Sequence, residues 1–174
     1  MIIKQKLLTI LSDGNWHSGE VIGGQLQITR SAVWKQLKQL DSEGLKIQKE
    51  RGKGYRLINS INLFSESEIL SSLNEKTESL LDKLKLFFIV DSTNTHALNM
   101  IKESNHNNLL SGVAIFAEKQ TQGKGRLGRD WISPLGSNLY GSIIWNFNSS
   151  ASALTGLSLT IGILVAKTLE LLGC

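Results

Sequence analysis

Apolar positions recur at helical spacing through the first third of the chain and then fall into short strand-like runs. Leu7, Leu8 and Leu11 form a stripe over residues 4–11 that stops at Ser12-Asp13-Gly14. Ser18 is an N-cap, with Glu20 in the first turn, for a second helix carrying Val21, Ile22 and Leu26. After a break at Gln27-Ile28, Thr29 caps a third helix that runs from Arg30 to about Glu43 and ends at Gly44. Val33, Leu37 and Leu40 sit at i, i+4, i+7 and define its buried face. Arg30, Ser31, Trp34, Lys35 and Lys38 occupy the other face. Two strand-like runs, 45–48 and 55–58, flank the basic, glycine-rich tip Lys49-Glu50-Arg51-Gly52-Lys53-Gly54. Three helices and a hairpin in this order predict a winged helix-turn-helix over residues 1–60.

Asn59-Ser60-Ile61-Asn62 breaks the pattern and marks a boundary, with a second domain over 61–174. Ser65 opens a helix over 66–73, and the polar stretch 74–81 reads as loop. Beyond it the pattern alternates: strand 84–90, helix 93–103, strand 113–118, long polar loop 119–136, strand 138–145, helix 154–172. Such alternation predicts an α/β or α+β domain, so the chain as a whole is read as α+β. No internal repeat and no low-complexity tract interrupts it.

Composition narrows the class. With 174 residues, 41% apolar and 20% charged, the chain is neither disordered nor fibrous. No run reaches the roughly 18 apolar residues of a membrane span, and the start lacks a signal-peptide pattern. The single cysteine, Cys174, cannot form an internal disulfide. A cytoplasmic protein without a membrane partner is the expectation. The net charge of +4 divides unevenly: residues 1–60 carry a surplus of +5 and the remainder −1. This asymmetry fits either a nucleic-acid-binding module joined to a second unit or a basic surface arising by chance.

The basic residues fall on the two elements that touch DNA in a winged helix. Arg30 and Ser31 open the third helix where base edges are read, while Lys35 and Lys38 face phosphates. Lys49, Arg51 and Lys53 lie on the wing. The alternative is a solvated charged face on a protein-interaction module. Trp34 either contacts DNA or tucks under the wing.

Two further clusters carry candidate chemistry. Gln120-Thr121-Gln122-Gly123-Lys124-Gly125-Arg126-Leu127-Gly128-Arg129 contains G-x-G-x-x-G, but it leads into Asp130-Trp131-Ile132-Ser133-Pro134 and a strand rather than a helix. The dinucleotide fingerprint is therefore rejected, and no Walker A Gly-Lys-[Ser/Thr] is present. A glycine loop bearing Lys124, Arg126 and Arg129 remains, either an anion cradle or a solvated basic loop. Asp91-Ser92-Thr93-Asn94 follows the apolar run Leu86–Val90. It is either an ordinary helix cap, at Asp91 or Ser92, or a polar corner at the carboxyl end of a strand, where α/β sheets bind ligands. His17, His96 and His106 lack metal-ligand spacing and read as surface or packing residues; no metal site is expected.

Together these segments resemble the bifunctional biotin–protein ligase and biotin operon repressor family. The resemblance rests on the winged helix, Asp91-Ser92-Thr93-Asn94, Gln120 before the Gly123–Arg129 loop, Trp131, Ser133-Pro134, Gly136-Ser137-Asn138-Leu139-Tyr140 and Gly156-Leu157-Ser158-Leu159. It spans about residues 5–174. It implies a winged helix followed by part of a class II synthetase-like ligase domain. It also implies a two-step reaction in which biotin and ATP, with Mg²⁺, give biotinyl-5′-AMP, and a carrier-protein lysine then takes the biotinyl group. The resemblance assigns Ser92, Thr93, Asn94 and Gln120 to the biotin ureido pocket. Lys124, Gly125 and Arg126 are assigned to the loop over the adenylate, with Gly123, Gly128 and Arg129 completing that loop. Operator DNA, a biotin carboxyl carrier protein and a second copy of the chain are the implied partners.

Two departures stand out. Lys124 and Leu127 occupy positions where the family loop is usually arginine, which predicts weaker adenylate retention. The family also continues into a Lys-Trp-Pro-Asn-Asp-type strand, the rest of the sheet and an SH3-like domain, none of which this sequence contains. A truncated chain with impaired ligation is the expectation. A DNA-binding module alone and a lipoate-ligase relative are the competing functions.

Overall fold

A computed structural model describes residues 2–104, 110–125, 127, 129–148 and 150–173. The chain forms two compact units, Met1–Ile144 and Trp145–Cys174. In the first, helix α1 (Ile2–Leu11), α2 (Gly19–Leu26) and α3 (Arg30–Ser42) precede an antiparallel hairpin of β1 (Ile47–Glu50) and β2 (Gly54–Leu57). Ser18 accepts a hydrogen bond from the Val21 amide, and Thr29 one from the Ala32 amide, so both predicted caps start their helices. Each such cap contributes about 1 kcal/mol. Leu7, Leu8, Leu11, Ile22, Val33, Leu37, Leu40 and Leu57 close one core. Full burial of each contributes about 1.5–3 kcal/mol. Val21, read from its spacing as an inward residue, is exposed; it falls outside the stripe that Ile22 and Leu26 share.

The wing strands begin two residues later and one residue earlier than predicted, because pairing fixes them. Ile47 pairs with Leu57 and Glu50 with Gly54, leaving Arg51-Gly52-Lys53 as the tip. His17 and Tyr55 exchange two backbone hydrogen bonds of 2.9 Å, which fasten the wing to the start of α2. Gly54 is required there: its φ is +107°, and a Cβ would lie 2.1 Å from the His17 carbonyl oxygen. His17 also meets the Asp13 carboxylate at 3.0 Å, and that hydrogen bond holds Asp13 below its ordinary pKa.

Helix α4 (Glu66–Ser72) follows the predicted cap at Ser65. The stretch read as loop contains one short helix, α5 (Glu75–Glu78), because Asn74 accepts from the Thr77 amide and caps it. Strand β3 (Lys83–Phe87), helix α6 (Thr93–Glu103) and strand β4 (Val113–Ala117) then form a β-α-β unit, with β3 and β4 parallel. Strand β5 (Tyr140–Ile144) pairs antiparallel with β4, so the order is β3-β4-β5 with the most buried strand in the middle. Helix α6 covers this sheet through Ala97 and Met100, packed on Val113, Ile115 and Ile144.

Strand β3 stops three residues short of the predicted 84–90. Its register with β4 ends at Phe87–Ala117, and Phe88 turns into the winged-helix core beside Leu135. The winged helix and the sheet region thus share one apolar core. In the second unit, a 3₁₀ turn (Ala151–Leu154) precedes helix α7 (Leu157–Leu171), which starts three residues later than predicted, behind Gly156. None of its residues is buried. Among the described residues no helix is long and apolar enough to cross a membrane.

Candidate functional site

The carboxyl end of β3 and the loop after β4 run side by side. Val90 forms a parallel bridge with Gln120, and the Gln122 amide donates to the Asp91 carbonyl at 2.8 Å. This brings Asp91-Ser92-Thr93-Asn94 against Gln120, although the two segments are distant in sequence. Asp91 Oδ1 accepts from the Ser92 amide at 2.7 Å, and Ser92 Oγ accepts from the Thr95 amide at 3.4 Å. Ser92 is therefore the helix cap that local reading offered, and it also lines a cavity of about 230 Å³. The two readings of this corner are compatible.

Ser92, Thr93, Asn94, Gln120 and Lys124 come together around that cavity. Ser92 and Thr93 are each 3% exposed, so their polar groups are held rigidly. Gln120 Oε1 accepts from the Thr93 amide at 2.8 Å and from Thr93 Oγ1 at 3.2 Å. Ser142 Oγ donates to Thr93 Oγ1 at 2.9 Å from the facing strand β5. Trp131, Leu139 and Tyr140 supply apolar surface. Tyr140 donates from its hydroxyl to the Pro134 carbonyl at 3.0 Å and so ties the Ser133-Pro134 segment to the sheet. The cavity thus joins several fixed polar groups to a smaller apolar surface, a lining that can meet a polar ligand head.

The glycine loop folds on itself. The Lys124 and Asp130 backbones form an isolated antiparallel bridge, and the Gly125 amide donates to the Arg129 carbonyl at 3.1 Å. A Cβ on Gly123 would lie 2.3 Å from the Trp131 ring, so glycine here permits loop-to-tryptophan contact. Lys124 lines the cavity, while Gly123, Gly125 and Arg129 are not among its lining residues. Arg126 and Gly128 lie outside the described residues, as does His106. Leu127 is 91% exposed with φ +59°, a left-handed conformation that costs a leucine about 1 kcal/mol.

Sequence reading missed Ser142, which lines the cavity, and Glu118 and Lys119, which precede Gln120 in the chain. Glu118 is 5% exposed; its carboxylate accepts from the Phe64 amide, and burial pushes its pKa up against that hydrogen bond. Lys119 Nζ lies 3.6 Å from Glu43 at the end of α3. Ser142 could have been noticed as the one polar residue in the inward stripe Tyr140, Ser142, Ile144.

A second candidate surface lies on the winged helix. Arg30, Lys49 and Arg51 line one groove of about 520 Å³ with the α2 N-terminus. Ser31, Trp34, Lys35 and Lys38 are exposed along α3. Trp34 stays in solvent, 44% exposed, with the Lys38 ammonium 4.8 Å from its ring, so it does not tuck under the wing. Lys53 differs from its wing neighbours: it pairs with Glu50 at 2.8 Å and lies 5.8 Å from the Trp16 ring. Of the other histidines, His17 packs beside the wing and His96 meets Phe87 edge-on.

Residues 4–56 match a helix-turn-helix domain family, and residues 86–172 match the biotin/lipoate A/B protein ligase family. The chain belongs to the biotin/lipoate A/B protein ligase family. This ligase-family chain is 39% identical over 168 residues to the bifunctional ligase/repressor BirA of Escherichia coli K12, an alignment covering 97% of the chain and 49% of that relative. It is 40% identical over 167 residues to the protein of the same name from Salmonella typhimurium, covering 96% and 49%. Against that of Bacillus subtilis it is 34% identical over 170 residues, covering 97% and 50%. The chain spans about half the length of the curated relatives it matches.

Proposed function

We propose that this chain binds biotin in the Thr93–Gln120 cavity and carries the ligand-activating part of a biotin–protein ligase. The observation that carries the reading is one cavity whose lining joins uncharged hydrogen-bonding groups to the cationic Lys124. Ser92, Thr93, Asn94 and Gln120 suit a neutral ureido head. Lys124, with Gly125, Arg126 and the rest of the Gly123–Arg129 loop, suits the anionic carboxyl and phosphate end.

In the reaction, a biotin carboxylate oxygen attacks the ATP α-phosphorus, the bond to the β-phosphate oxygen breaks, and pyrophosphate leaves. Lys124 balances charge on the resulting acyl-phosphate. A lysine amine of a carrier domain then attacks the acyl carbon, forming an amide and releasing AMP and a proton. Mg²⁺ enters as part of the nucleotide substrate; no carboxylate lines the described cavity, and none of this chain's residues is assigned to the ion.

Residues 1–60 form the DNA-reading module of this proposal and 61–174 the ligase part. In this proposal Arg30 and Ser31 reach base edges in the major groove, Trp34 lies beside them on the DNA-facing side of α3, Lys35 and Lys38 neutralise phosphates, and Lys49, Arg51 and Lys53 meet the flanking backbone. The biotinyl adenylate favours a homodimer, and the dimer occupies the operator that represses biotin synthesis.

Biotin-dependent exchange of labelled pyrophosphate into ATP tests the activation step. The reading expects exchange that needs biotin and drops at least tenfold in Lys124→Ala. Exchange equal with and without biotin, or untouched by Lys124→Ala, contradicts it. A second reading, a DNA-binding module alone, is favoured by the exposed basic residues along α3 and the wing. Operator binding that ignores biotin plus ATP supports that reading instead.

A further inference from the structure

The geometry points to Ser142 as a positioning residue that sets the hydrogen-bond polarity of the cavity, and through it the choice of a cyclic-urea head over a dithiolane head. The inference rests on the biotin reading above and adds a residue and a selection rule to it.

One backbone group fixes every direction in the network. The Thr93 amide can only donate, so the Gln120 atom 2.8 Å from it is the carbonyl oxygen. The Thr93 hydroxyl, 3.2 Å from the same oxygen, must then donate to it. Having spent its only hydrogen, Thr93 Oγ1 can only accept from Ser142 Oγ at 2.9 Å. The hydrogen bonds therefore run one way, from Ser142 to Thr93 to Gln120.

The consequence is a fixed pattern facing the ligand. Ser142 Oγ keeps two free lone pairs and Thr93 Oγ1 keeps one, so both present acceptors. The Gln120 amide nitrogen has no acceptor among the described residues and presents donors. All three residues line the cavity. Two acceptors and one donor complement a cyclic urea, which offers two N–H groups and one carbonyl. A dithiolane ring offers none of these and would leave all three groups dehydrated and unpaired, which sites of this kind penalise heavily. A carbonyl or carboxylate head would meet two lone-pair-bearing oxygens.

Without the Ser142 hydroxyl, one acceptor is lost and Thr93 Oγ1 is freed to rotate away from Gln120. Ser142 lies on β5 and Thr93 opens α6, so the relay also needs the β4–β5 register that pairs Ser142 with Ile115.

Titration calorimetry on the 174-residue chain tests this with biotin, lipoate and two biotin analogues in which one ureido N–H is replaced by oxygen. Ser142→Ala is expected to weaken biotin by about tenfold or more, and Ser142→Thr, which keeps the hydroxyl, by less than about threefold. In the parent chain at least one analogue binds about tenfold more weakly than biotin, and in Ser142→Ala that penalty falls to near unity. Lipoate binds far more weakly than biotin in the parent. Thermal melting of both variants separates folding from binding. Ser142→Ala binding biotin as the parent does, or showing the same analogue penalties, overturns the role of Ser142 and leaves the biotin reading intact. A parent chain that does not bind biotin overturns both.

Discussion

Lys119 Nζ stands 3.6 Å from Glu43 Oε2, joining the residue before the cavity's Gln120 to the last turn of the winged helix's third helix. Glu43 also holds Lys4, which is 8% exposed, through its other oxygen. The two contacts differ in kind. Lys4 forms a hydrogen-bonded ion pair in a largely buried site, whereas Glu43 Oε2 has no hydrogen-bond partner among the described residues and meets Lys119 as a looser charge pair.

Removing Glu43 strands a buried ammonium. Glu43→Ala is expected to cost about 3 kcal/mol or more by urea unfolding, because breaking one side of a buried pair leaves the other uncompensated. Lys119→Ala is expected to cost under about 1 kcal/mol, in keeping with a more exposed pair. The reverse order of these costs would contradict the assignment.

Glu118 gives a pH signature. Its folded pKa is raised, with burial as the main cause, so its contribution to stability is fully present below the ordinary value of about 4.5 and is lost as pH climbs through the folded value. Glu118→Gln keeps an oxygen for the Phe64 amide and removes the charge. Unfolding free energies across pH 4 to 7 are expected to lose a declining component in this variant, and at pH 7 it is as stable as the parent or more so. A variant whose pH profile overlays that of the parent would contradict it.

Gly123→Ala drives a methyl group into the Trp131 ring. The loop must shift, at a cost of about 1–3 kcal/mol. Tryptophan emission is expected to change, and biotin binding to weaken more than stability does. Unchanged emission and affinity would show that the loop does not rest on Trp131.

On the winged helix, Lys35→Ala is expected to lower operator affinity and reduce the salt slope by about one. Lys53→Ala is expected to do less, since Lys53 is already paired with Glu50 and stacked near Trp16. Equal slopes for parent and Lys35→Ala, measured by fluorescence anisotropy, would move the DNA surface elsewhere.

The local code was legible wherever a side chain acts on its own backbone. Ser18, Thr29, Ser65 and Ser92 cap the helices assigned to them, and helix α6 begins and ends as its pattern predicts. Strand ends were less legible, because their limits come from the partner strand: β3 ends where Phe88 leaves the ladder for another core. The cavity was half legible. Ser92, Thr93, Asn94, Gln120 and Lys124 carried visible chemistry, but Ser142 reaches Thr93 only once β5 pairs with β4. The Lys119–Glu43 contact likewise depends on tertiary packing alone and leaves no trace in local spacing.

The central claim is that this cavity takes a ureido head. Its most direct test is calorimetric titration of the 174-residue chain and its Thr93→Val variant with biotin and with lipoate. The account predicts saturable one-site binding of biotin, little or no binding of lipoate, and a loss of about tenfold or more in biotin affinity in Thr93→Val. Absence of biotin binding by the parent chain, or equal affinity for the two ligands, would contradict it.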